Sequence, residues 1–295
     1  MLNRTLNLIR LLMKRIVLLM CICFSALQLC FSQVSEIGLC VGGSFYLGDL
    51  NPSGMFAKLQ PAGGAMYRYN FSPRWAFKST VLFGSMEASD AETNGGDPRG
   101  LSFRSPLSEI AAEFELNFLK LYNEPGKNYF SPYLFAGVSL FSFNPQAKYK
   151  DKWYDLQPLG TEGQGLDGYN RDRYALTGIA IPFGLGFRFN FLYYYSIGFE
   201  WGMRKTFTDY LDDVSTTYVN HIRLNTERSP LVEYFSDPAA TNDGREYHEE
   251  GTARGNDQTT DWYSFANLTF SFKFNYNHGC NYLSKSPKLK VGKKK

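Results

Sequence analysis

After residue 32 the 295-residue sequence contains no apolar run of the roughly 18 residues that a membrane-crossing helix needs. It has no tandem repeat with a period of about 20–50 residues, which excludes a solenoid or propeller array. The glycine-bearing strings "VGG" (Val41–Gly43) and "GTEGQG" (Gly160–Gly165) are not followed by Lys-Ser/Thr, so neither is a phosphate loop and nucleotide binding is excluded. A disulfide framework is missing as well. Of five cysteines, three (Cys21, Cys23, Cys30) lie in the first 32 residues, leaving Cys40 and Cys280 near opposite ends of the remainder.

What the chain has in excess is aromatic side chains, 17% of residues, at a mean hydropathy of only −0.30. Membrane helices would not average out so polar. Strands alternating between lipid and a polar interior would. The first residues read as a targeting segment: Arg4, Arg10, Lys14 and Arg15, then an apolar core Ile16–Phe31, then the small residues Cys30 and Ser32 before a cut at Gln33. Leu29 stands where a lipoprotein needs a small residue, which argues against a lipid anchor on Cys30. Residues 1–32 are therefore expected to be a signal peptide, 33–276 a barrel and 277–295 a basic tail.

Removing the signal segment takes away four positive and no negative residues, so the net charge falls from +3 to −1. The tail lysines Lys285, Lys288, Lys290, Lys293, Lys294 and Lys295 are six more, which leaves the span between at −7. The basicity belongs to the two ends and does not argue for nucleic acid. The tail suits either anionic headgroups or an acidic patch on a periplasmic partner.

Between the ends, period-two alternation recurs in segment after segment. In "PLSEIAAEFELNFL", Ile110, Ala112, Phe114, Leu116 and Phe118 alternate with Glu109, Glu113, Glu115 and Asn117. In "NLTFSFKFNY", Leu268, Phe270, Phe272, Phe274 and Tyr276 alternate with Asn267, Thr269, Ser271, Lys273 and Asn275. Similar patterns at 34–49, 60–71, 74–85, 178–191 and 193–205, with an ambiguous stretch at 131–143 that is apolar on both faces, make eight strands. In the first of these, Ile37, Leu39, Val41, Phe45 and Leu47 share the apolar face. Met66 is an exception in the second. Short links (71–74, around 192) alternate with long ones (48–59, 87–103, 144–172, 205–260), as do the periplasmic turns and extracellular loops of an outer-membrane barrel.

Alternation alone also suits a soluble barrel with its apolar face inside. The polar face decides. It is largely Gly, Ala and Ser in several strands, which suits a crowded lumen better than a wet surface. Its remaining members are Arg68, Lys78, Glu109, Glu113, Glu115, Arg188, Glu200, Arg204 and Lys273. Facing inward these can pair, whereas each base facing lipid would cost about 2–4 kcal/mol at the midplane. The expected fold is an all-β, eight-stranded antiparallel transmembrane outer-membrane β-barrel with both termini periplasmic. Such an interior is filled by its own side chains, which argues against a general porin unless a ninth or tenth strand lies within a long loop.

The strings "EIGLCVGGSFYLGDLNP", "LSFRSPLSEIAAEFELNFL", "SPYLFAGVSLFSFNP", "LQPLGTEGQG", "IPFGLGFRFN" and "EWGMRKTFTDYLDDVSTTY" resemble the PorG-type outer-membrane protein of the Bacteroidota type IX secretion system. The resemblance runs from about Glu36 to Phe274, and the two loop strings are its more specific part. It implies a non-enzymatic barrel that ties a periplasmic ring of a lipoprotein and its partner (the PorK and PorN types) to the outer membrane. It implies no catalytic motif and no cofactor.

Two other chemistries have candidate residues. Asp209, Asp212 and Asp213 form an oxygen-rich cluster that is a weak candidate for calcium, because the EF-hand spacing and its glycine are absent. His221 and His248 share a long loop with Asp212, Asp213 and Glu249 and with the hydroxyls of Ser215, Thr216 and Thr217, but a triad needs a geometry that loop composition does not establish. The alternative to the anchor is thus a small barrel enzyme, or a ligand-binding or adhesion barrel acting through its extracellular loops.

Overall fold

The computed structural model describes residues 34–52, 54, 56–93, 99–121, 129–191 and 194–274. The expected signal segment 1–32 and the tail 277–295 with its lysines lie outside the described residues. The strands are β1 (Val34–Leu47), β2 (Gln60–Asn70), β3 (Trp75–Ser89), β4 (Ser102–Asn117), β5 (Phe130–Phe143), β6 (Gln146–Tyr149), β7 (Lys152–Asp155), β8 (Thr177–Phe191), β9 (Tyr195–Thr206) and β10 (Trp262–Phe274). Four short helices lie in the connections: α1 (Asp90–Thr93), α2 (His221–Glu227), α3 (Pro230–Ser236) and α4 (Pro238–Asp243).

Eight of these strands pair antiparallel in the circular order β1-β2-β3-β4-β5-β8-β9-β10, and β10 closes on β1 from Ser35↔Phe274 to Leu47↔Trp262. The sheet therefore closes without a free edge, the condition for strands in hydrocarbon. The strands run from 11 to 16 residues, and about 9–11 suffice to cross a bilayer. Both ends of the barrel lie on the same rim as the short turn between β2 and β3.

The alternation resolves as the two faces of this wall. Ile37, Leu39, Phe114, Leu140, Ile179 and Leu268 point outward and are at least half exposed. The polar series between them is buried, from Arg68 and Lys78 to Glu113, Glu115 and Lys273. No water-soluble surface carries such a continuous apolar girdle, while lipid requires one. The glycines of the polar face make room for what fills the lumen. Gly186 lies opposite Tyr133 in the β5–β8 ladder, and a Cβ there would stand 2.4 Å from the tyrosine ring.

The segment 131–143 is apolar on both faces because its inward ring series, Tyr133, Phe135, Phe141 and Phe143, packs the lumen while Leu134, Val138 and Leu140 face out. The loop-side half of the lumen is an apolar plug in which Phe141 and Phe143 join Tyr46, Met66, Met86, Phe103, Tyr263 and Phe265. This explains Met66: it is an inward residue in the apolar layer rather than a break in register.

Several expectations need correction. Phe45 is on the outward side but only 6% exposed, because Phe56 from the following loop packs edge-on against it at 5.2 Å and also reaches Trp201 at 5.8 Å. β3 and β4 extend past the expected ends, as far as Ser89↔Ser102. Pro106 reads as a strand start because a central strand has no use for a residue without N–H. It is tolerated inside β4 because it falls between the last pair with β5 (Leu107↔Phe143) and the bridge to β6 (Arg104↔Gln146). The link 144–172 holds the β6–β7 hairpin, and the link 205–260 holds α2–α4. The sequence pattern predicts both only as loops.

Candidate functional site

The nine charged residues expected in the lumen are all there, and their contacts run across the barrel as well as around it. Arg68 holds Glu115 through two parallel bonds, Nε–Oε2 at 2.8 Å and Nη2–Oε1 at 3.0 Å, and reaches Glu36 Oε2 at 3.1 Å. Arg188 on β8 donates to Asn117 Oδ1 on β4 at 3.2 Å and lies 3.7 Å from both Glu36 and Glu115. Lys78 on β3 contacts Glu113 at 2.9 Å and Glu115 at 3.5 Å, and crosses the lumen to Glu200 on β9. Arg204 on β9 pairs with Glu109 on β4 at 3.2 Å, and Tyr263 donates to the same carboxylate at 2.7 Å. Lys273 stands opposite Glu36 in the β1–β10 ladder and donates to the Tyr195 carbonyl at 3.4 Å.

Glu36, not among the residues the alternation predicts for the lumen, joins them there, with the inward parity of Gly38 and Cys40. With it, five cations meet five carboxylates, all no more than 5% exposed. Phe135 and Phe265 close this layer from the plug side, with Lys78 Nζ 4.5 Å and the Arg204 guanidinium 4.8 Å from their ring centres. A lumen bridged in this way is a strut, not a conduit.

Above the plug the long connections form a second ordered layer. Gly160 and Gly163 bracket Glu162 at φ 68° and 78°, the left-handed region that glycine enters without strain, and turn the chain around that carboxylate. Glu162 accepts from Ser215 N at 3.0 Å, Thr216 N at 3.1 Å, Thr216 Oγ1 at 2.6 Å and Arg254 Nη1 at 2.9 Å. Asp213 accepts from the Thr161 hydroxyl and from Tyr174 at 2.6 Å. The strings "LQPLGTEGQG" and "TDYLDDVSTTY" are thus two halves of one interlocked cap. Nothing in periodicity could show this, because the partners are backbone amides and residues far apart in sequence.

Tyr46 fastens the cap to the barrel. Its hydroxyl lies 2.6 Å from Asp212 Oδ2 and 2.9 Å from Asp261 Oδ1. One phenol proton satisfies one carboxylate, so the other oxygen pair needs a proton of its own. Burial raises Asp212 well above the ordinary carboxylate range, with the charge of Asp49 adding to it, and burial with the charge of Asp212 does the same to Asp261. Burial also lifts Asp209 to about 7 and Asp213 to about 6. The three weak calcium candidates therefore diverge: Asp212 turns to Tyr46, Asp213 to Thr161 and Tyr174, and Asp209 toward Ser215. Among the described residues no three His, Cys, Asp or Glu side chains converge as a metal-binding group.

These carboxyls hold protons more tightly folded than unfolded, so the cap is most stable below the ordinary aspartate value of 3.8 and weakens as pH rises toward about 7. Amide protection across residues 209–219, corrected for intrinsic exchange, should fall between mildly acidic and mildly alkaline buffer. Asp213→Asn should flatten part of that slope. Protection that rises with pH would contradict the assignment.

The histidines do not join the hydroxyls expected beside them. His248 Nδ1 lies 2.9 Å from Asp237 Oδ2 and stacks on Tyr218, while His221 Nδ1 lies 3.1 Å from Glu233 and stacks on Tyr247. Thr216 is taken by Glu162 and Thr217 Oγ1 by Arg171. Asp237, absent from the sequence candidates, also caps α4 through Ala240 N.

Among solved structures the chain is similar to Ail, the attachment invasion locus protein of Yersinia pestis, crystallised with the heparin analogue sucrose octasulfate. The identity is 9% over 83% of this chain and 100% of that one, with a TM-score of 0.40. It is similar also to Neisserial surface protein A (9% identity, 83% and 98% covered, TM-score 0.39) and to the N-terminal β-barrel domain of Pseudomonas aeruginosa OprF (11%, 82% and 98%, 0.34). The fold assignment rests on the strand register, to which scores this low add nothing. No curated protein matches the sequence. Residues 14–227, most of the chain, match the family described as "Domain of unknown function (DUF6089)", and the chain belongs to that family.

Proposed function

We propose that this protein is an outer-membrane barrel that acts without catalysis, as an anchor or assembly subunit of a type IX-like protein secretion apparatus. Its short-turn rim and both termini face the periplasm, where it retains a ring of a lipoprotein and its partner of the PorK and PorN types. The observation that carries this reading is the bridged lumen. Ion pairs from β3 to β9 and from β4 to β8 and β9 leave the barrel no transport path, so its surfaces are what it has to offer. The ring partner itself comes from the resemblance of the loop strings and strands to PorG-type proteins.

The rival from another class is an enzyme at the loop rim, and the ordered Asp237–His248 pair is the feature that favours it. Against it, Asp237 already serves as a helix cap, and among the described residues no serine, threonine or cysteine is hydrogen-bonded to the His248 ring. Affinity capture of the tagged protein from solubilised envelopes should bring the ring lipoprotein with it. Capture of the intact barrel without that lipoprotein would remove the anchor reading.

A further inference from the structure

The connection between β1 and β2 does not stay above the rim. Its residues 56–59 lie down on the outer wall as a strap. Phe56 packs edge-on against Phe45 at 5.2 Å and reaches the Trp201 ring at 5.8 Å. Leu59 crosses Gly43 so closely that a Cβ there would stand 1.9 Å from its Cδ1. Gly43, Phe45 and the cross-strand partner of Phe45, Ser264, are all buried although the strand period turns them outward.

The register explains why the strap lies here. Val41 and Leu268 form an exposed lipid-facing row, at 67% and 60%. In the next row toward the loops Gly43 stands opposite Ala266 and Pro61, and in the row after that Phe45 stands opposite Ser264. Side chains this small leave the girdle unfinished, and Leu59 and Phe56 lie over the gap. Lys205 and Trp262 are cross-strand partners with the ammonium 4.7 Å from the ring centre, a pair that marks the headgroup level on this side. Trp201 lies four residues nearer the short-turn rim on the same face of β9, about 13 Å along the strand at roughly 3.3 Å per residue. By reaching the Trp201 ring, Phe56 dips below the headgroup level.

The polar groups of this segment are turned away or met locally, as hydrocarbon demands. Lys58, the strap's one charge, takes a left-handed φ of 51° and contacts Glu87 at 3.0 Å and also Glu92. Gly54 N donates to Asn51 Oδ1 at 3.0 Å, and the Gly54 carbonyl accepts from Asn51 Nδ2 and from Ala57 N, both at 2.9 Å. What remains outward is Phe56, 58% exposed, and Leu59, 62% exposed.

We infer that the strap is a membrane-inserted loop, with Phe56 and Leu59 in the hydrocarbon of the loop-side leaflet, where they complete the girdle over β1, β2 and β10. Acyl chains are the occupant because the two side chains continue the lipid-facing row of Val41 and Leu268 with no charge between. The inference rests on the girdle facing lipid and does not need the periplasmic ring.

The test places the full chain in phosphatidylcholine vesicles, spin-labelled at single cysteines from Phe56→Cys, Leu59→Cys, Leu268→Cys or Ile222→Cys in a background of Cys40→Ala and Cys280→Ser. Each variant is first checked for the gel shift of a folded barrel. Leu268 in the girdle and Ile222, 61% exposed on α2, set the two limits. Labels at 56 and 59 should meet oxygen as the label at 268 does. They should meet a water-soluble nickel chelate about tenfold less than the label at 222, because burying a phenylalanine or leucine favours the lowered strap by at least that factor. Phe56→Cys removes a packing ring, so the unsubstituted chain supplies a second reading: in lipid nanodiscs the Leu59 methyls should show NOEs to acyl-chain methylenes. Nickel access at 56 and 59 equal to that at 222, with 268 shielded, would overturn the inference and leave the girdle standing. So would Leu59 methyl contacts to water alone, or shielding of both strap labels from oxygen and nickel alike, the sign of a protein cover. Nickel access at 268 would overturn girdle and strap together.

Discussion

Glu113→Lys will lower the temperature at which the folded barrel converts to the slow-migrating unfolded band by roughly 10 °C, for a loss of about 3–5 kcal/mol. Glu113 is fully buried, pairs with Lys78 at 2.9 Å and lies 4.0 Å from Arg204. A lysine there puts a third ammonium or guanidinium group among these cations and leaves Lys78 leaning on Glu200 and Glu115 alone. The penalty comes from uncompensated charge in a place water does not reach, more than from the lost attraction. Glu113→Gln, which keeps the shape and removes one charge, should fall between wild type and reversal. Lys78 and Glu113 are direct cross-strand partners, so the swap Lys78→Glu with Glu113→Lys should recover part of the loss. Recovery stays partial because Glu200 and Arg204 remain in place. An unchanged transition in Glu113→Lys would mean that the inward charges do not act as a structural network.

The barrel wall was legible in the sequence because each of its residues has one of two destinations, lipid or lumen, and the strand period writes that choice into every second position. The charges were legible for the same reason, since Arg68, Glu113 and Arg188 keep the parity of their strands. Reading failed where the lumen changes character. In β5 the inward positions carry rings and are as apolar as the outward ones, so Phe135 and Phe141 look no different from Leu134 and Leu140. Glu36 escapes for a smaller reason: it lies one step before Ile37, where the apolar alternation of β1 begins. Phe45 shows a third kind of failure, since a loop residue, Phe56, covers an outward side chain that its own strand leaves bare.

The cap is where the sequence is least informative and the structure most specific. Glu162, Asp213 and Asp212 are bound by backbone amides and hydroxyls contributed by distant segments, and amide partners leave no residue signature. Two strings that look like separate solvated loops therefore behave as one body, fixed to the barrel by Tyr46. Lumen struts below and a fastened cap above suit a rigid mounting, in keeping with an anchor. They also place the exposed face of the β6–β7 hairpin at a constant height over the girdle.

Glu162→Ala should detach this cap while leaving the barrel intact. The substitution strips Arg254, 2% exposed, of its carboxylate and leaves the N–H groups of Ser215 and Thr216 without their acceptor. An unpaired buried guanidinium costs about 3–5 kcal/mol, and each unsatisfied buried amide about 1–3 more. Local opening is cheaper than bearing these terms, so the cap gives way first. Amide protection across residues 211–217 should drop by about 100-fold or more, with strand amides of β1, β9 and β10 unchanged and the folded-band transition shifted little. Removing both partners, Glu162→Leu with Arg254→Met, should restore more protection than either single change retains, because no orphan charge is left. Wild-type protection in Glu162→Ala would show that the carboxylate is incidental. A collapse of strand protection along with the cap would show that cap and barrel form one cooperative unit, with Tyr46 carrying the coupling between them.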